Sequence, residues 1–242
     1  MRKVFFLLLA LPILATAQDV KNVITISRYF PKGDNVRQFE TALAAHAKKF
    51  HKGDMQWRVY TIESGPDAGG YQIVEGPASW DGLDKRGDIS QAHTNDWDKT
   101  VQPHLTDKFS NFYLTFRQDL STAIQGDYTD KIAVRHIYVK PGYYGEMENM
   151  IKEMKNTWTA SDQFVAVYES SSSGEPQFIL VDRYKNGLKD RVATNRPSMP
   201  TLFASANGGE SAWNRFITNF KQAVSNQWGE MLFYKPELSS AQ

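Results

Sequence analysis

The sequence predicts an α+β protein of two consecutive ferredoxin-like halves, each β-α-β-β-α-β, whose open sheet faces cover each other within one chain. Three observations predict it. The 242 residues run through one order of patterns after Val23 and through the same order again after Ile132. Within each pass, period-two stretches alternate with three- and four-residue apolar spacings, the mark of strands and amphipathic helices in turn. Finally, 41% apolar residues with 28 Lys+Arg against 27 Asp+Glu can build a core, and no cysteine is present to staple it.

The first strand of each half is rich in β-branched and aromatic residues and ends near a glycine: Val23–Phe30 before Gly33, Ile132–Val139 before Gly142. Helical stripes follow, Val36, Phe39, Leu43, Ala47 and Phe50 in one half, Met147, Met150, Ile151, Met154 and Trp158 in the other. A hairpin comes next in each: Trp57–Tyr60 and Tyr71–Glu75 around a Gly-Pro-Asp turn, Ala166–Tyr168 and Phe178–Asp182 around a serine-rich one. Both second hairpin strands run into a short helical echo, Gly82-Leu83-Asp84-Lys85-Arg86 and Gly187-Leu188-Lys189-Asp190-Arg191. Longer helices are expected from Trp97 and Trp213, then closing strands at Phe112–Phe116 and Met231–Tyr234 leading to Leu120-Ser121 and Leu238-Ser239. The polar segment Ser121–Lys131, with Gly126, separates residues 18–125 from residues 126–242. Ala193–Gly209 has no counterpart of equal length in the first half and reads as a surface insertion or a lid.

Residues 1–17 read as a signal peptide. Arg2 and Lys3 precede an apolar run from Val4, and Ala15-Thr16-Ala17 has the small-x-small form of a cleavage site. The run is shorter than the ~20 residues of a membrane-spanning helix. Export to the periplasm or the extracellular space is therefore expected, with no membrane anchor after cleavage. Removing Arg2 and Lys3 takes the formal charge from +1 to −1. A nucleic-acid partner is not expected at that charge.

A four-stranded sheet with helices on one face leaves the other face bare, and two such sheets in one chain supply each other's cover. In this order of elements and in its repeat, the sequence resembles the dimeric α+β barrel superfamily, including the antibiotic-biosynthesis-monooxygenase-like and NIPSNAP-like families. The resemblance implies an intrachain pseudo-twofold barrel, a pseudo-dimer, and a choice among cofactor-free oxygenases, haem-binding or haem-degrading proteins and proteins without chemistry. Haem-degrading members combine a strand-one Asn, a Trp and a helical His. Here Trp80 with His93 or His104 could supply the last two, but strand one offers Ser27.

Period-two alternation puts Arg28 and Arg135, or Ser27 and His136, on defined faces, and since Arg135 and His136 point to opposite faces, one ionisable group enters whichever face is buried. Aligning Gly33 with Gly142 places Ser27 opposite His136 and Tyr29 opposite Tyr138. The expected ligand pocket combines Arg28, Trp57, Tyr60 and Trp80 with Arg135, His136, Tyr138 and Tyr168, with His136 and Tyr138 as the proton-handling pair. An apolar or aromatic small molecule is the expected partner. No cofactor and no metal are expected: His46 and His51, five apart, fall on different sides of a helix, no His-Glu-x-x-His pattern occurs, and Asp96 or Asn95 reads as an N-cap. No nucleophile elbow or phosphate-binding glycine loop occurs. Three readings follow: a small-molecule binding or accessory protein, a cofactor-independent monooxygenase-like enzyme, and an interaction module with no cavity.

Overall fold

A computed structural model describes residues 20–87, 89–170, 172–192 and 197–240. The signal peptide expected at residues 1–17 lies outside the described residues, as does 193–196 of the expected insertion. In chain order the elements are β1 (Val23–Pro31), α1 (Val36–Phe50), β2 (Trp57–Ser64), β3 (Tyr71–Ala78), α2 (Trp80–Arg86), α3 (Gln91–Asp96) and β4 (Leu105–Phe116). There follow β5 (Lys131–Val139), α4 (Tyr144–Ala160), β6 (Val165–Ser170), β7 (Gln177–Arg183), α5 (Met199–Asn207), α6 (Glu210–Ala223) and β8 (Val224–Tyr234). The strands close into an eight-stranded barrel in the order β1-β3-β2-β8-β5-β7-β6-β4, every neighbouring pair antiparallel. Strands from residues before and after 130 meet at two seams. β2 joins β8 with Tyr60 opposite Tyr234, and β4 joins β6 with Phe116 opposite Tyr168.

Alternation along the strands sends one set of side chains into the barrel and the other outward. Ile24, Ile26, Ile132, Val134, Leu114 and Leu232 fill the interior. Outside, the α1 stripe Phe39, Leu43 and Ala47 packs on Trp57, Val59 and Ile73, while Met147, Met150 and Ile151 of α4 pack with Phe203, Phe216, Val167 and Phe178. The described part of the expected insertion is thus α5, whose Phe203 belongs to that core.

Four expectations change. β4 and β8 are much longer than Phe112–Phe116 and Met231–Tyr234, because their first halves are consecutive exposed, largely polar residues, Thr106–Phe109 and Ser225–Gln227, that carry no apolar alternation. Ser27 and His136 do not correspond: Arg28 and His136 point into the barrel and Ser27 points out, a one-residue slip that reverses every facing. The third helix starts at Gln91, not near Trp97. Ser90 is its N-cap, its hydroxyl accepting from the His93 amide, and the helix continues through a wider π turn at Trp97–Val101. Finally, α1 stops at Phe50 and His51 turns to extended backbone, so helical spacing does not govern His51.

The Leu-Ser echo has a plain structural meaning. Ser121 and Thr122 hydroxyls accept from the amides of Val167 and Val165 on β6, and Ser239 and Ser240 hydroxyls accept from Val59 and Trp57 on β2.

Candidate functional site

The barrel wall separates the residues that the sequence suggested as one pocket. Arg28, Tyr60, His136 and Tyr168 are buried inside the barrel. Trp57 lies outside it beneath α1. Trp80 is exposed on α2, its ring 5.9 Å from Tyr113. Arg135 is exposed on the opposite side of the wall from His136, near Asp182. Tyr138 is part-buried, its hydroxyl accepting from Trp228 Nε1 at 3.4 Å. Sequence reasoning grouped them by residue type, whereas alternation across a wall one residue thick sends neighbours to different compartments.

Around Arg28 and His136 the interior polar groups satisfy one another. Arg28 donates to both Glu230 carboxylate oxygens, to Asp67 at 2.8 Å and to the Gln72 side-chain oxygen at 2.7 Å. His136 stands between Gln177 Oε1 at 3.1 Å and Glu230 Oε1 at 3.0 Å, stacked on Trp228 at 3.8 Å. The void beside this network is about 50 Å³. Small-molecule pockets typically run to ~300–1,000 Å³. His136 is therefore placed as a network member without a substrate-sized space beside it.

A larger space lies outside the barrel, between the outer faces of β1–β4 and α2–α3. This cleft of about 290 Å³ is walled by Tyr29, Trp57, Trp97 and Tyr113, with Thr25, Ser27 and Asn111 on its floor and Glu75, Arg86, His51 and His93 at one end. β1 presents Thr25, Ser27 and Tyr29 here because they are the outward set of its alternation. Asn111 donates to Ser27 Oγ at 2.9 Å. Burial pushes the Tyr29 hydroxyl up to about 12, so it stays a neutral donor at physiological pH.

The polar end of the cleft is a tight cluster. Trp57 Nε1 donates to Glu75 Oε2 at 2.7 Å, and Arg86 pairs with Glu75 at 3.0 Å. His51 stacks on Trp57 at 3.4 Å, its Nδ1 lying 3.2 Å from Glu75 Oε2 and 3.2 Å from the Met55 carbonyl. His51 Nε2 faces His93 Nε2 at 3.3 Å. Behind them His46, fully buried on α1, meets Asp96 through Nδ1 at 2.9 Å, and Asp96 also accepts from Lys49. His46 Nε2 has no hydrogen-bond partner. A buried polar atom left so costs about 1–3 kcal/mol. Burial holds both His46 and His51 below the ordinary histidine range, against the opposing pull of Asp96 and Glu75. For Glu75 burial acts upward but is outweighed by His51, Arg86 and Trp57, which leave its carboxyl below the usual range.

Three of the five histidines meet here, their ligand atoms all within 4.8 Å of one another. The sequence reading placed them apart. Asp96 is a partner of His46 and not an N-cap, and His93 sits inside the helix it was expected to precede. A Ser90-x-x-His93 cap would have been the available signal.

Solved structures share this architecture. An anthrone oxidase-like protein aligns over 90% of this chain and 92% of its own, at 9% identity and TM-score 0.60. A presumed monooxygenase from Fusobacterium nucleatum aligns over 88% and 91%, at 16% identity and TM-score 0.58. The chlorite dismutase of Candidatus Nitrospira defluvii aligns over 90% and 92%, at 9% identity and TM-score 0.50. The chain shares with them a mixed α+β fold with a closed eight-stranded antiparallel barrel. At such identities the likeness is one of fold alone. No family model matches the chain, and no curated protein sequence matches it.

Proposed function

We propose that the chain is an exported protein, periplasmic or extracellular, built of two fused ferredoxin-like units as a pseudo-dimer, and that it binds an aromatic small molecule in the cleft of the first unit. The observation that carries this is the cleft itself, lined by four aromatic rings together with hydroxyl, amide and charged groups. Such a surface suits a planar ring bearing oxygen substituents. The third reading, an interaction module without a cavity, lacks support from a molecule with this space. Among the described residues no helix is long and apolar enough to cross a membrane.

A haem, which the resemblance brings with it, does not fit the histidines as they stand. His51 and His93 aim their Nε2 atoms at each other across 3.3 Å and His51 is stacked flat on Trp57, leaving neither nitrogen presented to the face of a macrocycle.

A monooxygenase-like activity is the second reading, favoured by one observation. His51, oriented by Glu75 and the Met55 carbonyl, would be its proton acceptor in place of His136.

Native mass spectrometry of protein purified from its own host, together with tryptophan-fluorescence titration by hydroxylated polycyclic aromatics, tests the proposal. A retained aromatic compound, or saturable quenching that weakens about 3- to 10-fold in Trp97→Ala, is expected. An empty protein that responds to none of the panel overturns it.

A further inference from the structure

We propose that His46, His51 and His93 form a mononuclear site for a divalent transition-metal ion of the zinc class, bound by three imidazole nitrogens with a fourth position open to the cleft. The inference shares the cleft with the reading above but does not depend on its ligand.

Geometry is the first support. Zinc bound tetrahedrally through nitrogen at 2.0–2.1 Å separates two ligand nitrogens by about 3.3 Å. His51 Nε2 and His93 Nε2 stand 3.3 Å apart, and the third ring offers a nitrogen within 4.8 Å of both. The three rings pack against one another, with centroids 4.7 Å (His46–His93), 5.2 Å (His51–His93) and 5.3 Å (His46–His51) apart.

Protonation is the second. Metal-bound imidazole characteristically donates its other N–H to a carboxylate or carbonyl, which fixes the tautomer. His46 Nδ1 has Asp96, and His51 Nδ1 has Glu75 and the Met55 carbonyl. Each arrangement leaves the lone pair on Nε2.

The third support is independent of both. His46 Nε2 is buried and has no partner, on a ring that packs against both His51 and His93. A hydrogen-bonded histidine network has no use for an orphaned lone pair there, whereas a cation accounts for it. The carboxylates of Asp96 and Glu75 supply compensating charge behind the ring. Three imidazoles without thiolate suit zinc, copper, nickel or iron rather than magnesium or calcium. His51 and His93 line the cleft while His46 lies beneath, so an ion held by all three has protein behind it and the cleft in front. That open position would take water or an oxygen-donor ligand.

Untagged protein is stripped with chelator and titrated with Co²⁺, read by the visible d–d bands of four- or five-coordinate cobalt, then displaced with Zn²⁺. One equivalent is expected to saturate the wild type. His93→Ala, at a part-exposed position, is expected to abolish that equivalent, and His46→Gln and His51→Gln likewise. His104→Ala, outside the cluster, should bind as the wild type does. Asp96→Asn should keep the stoichiometry and weaken binding about 10- to 100-fold. No stoichiometric uptake by wild type, or unchanged affinity in His93→Ala, overturns the site. Aromatic titration of the stripped protein decides the cleft reading separately, so either can fail without the other.

Discussion

Glu230 shows how a single residue ties the interior together. It is buried on β8, receives Arg28 from β1 on both carboxylate oxygens, and meets His136 from β5. Removing one member of a buried ion pair leaves the other uncompensated in low dielectric, at a cost of about 3–5 kcal/mol. Asp67 and Gln72 still hold Arg28, so Glu230→Ala should lose about 3 kcal/mol, the lower end of that range, in urea unfolding. An unchanged midpoint would mean the network contributes nothing net. The sequence did reveal that an ionisable group must enter the barrel from β5, because Arg135 and His136 are adjacent on a strand. It did not reveal Glu230 as the partner, since a Trp-Gly-Glu run gives no strand signal.

At the scale of elements, what the sequence made legible followed periodicity. β1, β5, α1 and α4 emerge where expected because an apolar stripe marks each. α3 does not, because Gln91-Ala92-His93-Thr94-Asn95-Asp96 is polar nearly throughout and only its cap announces it. The same blindness hid the histidine cluster, which needs both the early start of α3 and the end of α1 at Phe50. The Ser90 cap is thus the local determinant of where His93 stands. Its neighbour Ile89 has no side-chain oxygen to offer the His93 amide in its place. Ser90→Ala should therefore cost about 1 kcal/mol, read as a lowered urea midpoint. A midpoint that does not move would show that α3 is held by its packing alone.

At the scale of the whole molecule, the barrel depends on contacts between distant stretches of chain. Asp67, in the turn between β2 and β3, joins Arg28 of β1 to Lys108 of β4 across one end. Burial acts to raise its carboxyl, but Lys108 and Arg28 outweigh burial and hold it below the usual aspartate range. A group whose folded pKa is depressed contributes stability above its unfolded pKa and loses it as pH falls through the folded one. Melting temperature should therefore fall as pH is lowered below about 4, and Asp67→Asn should show a shallower fall over that window. Equal slopes in the two proteins would remove Asp67 from the account.

The ring of strands has a consequence for company. The ring closes through two short seams, and where β2 and β6 outrun them, the serine and threonine hydroxyls of residues 121–122 and 239–240 occupy the amides that would otherwise be available. A visiting peptide therefore finds the backbone amides at those two places already taken, so strand addition is closed along Trp57–Val59 of β2 and Val165–Val167 of β6, and anything that docks there must do so on side chains.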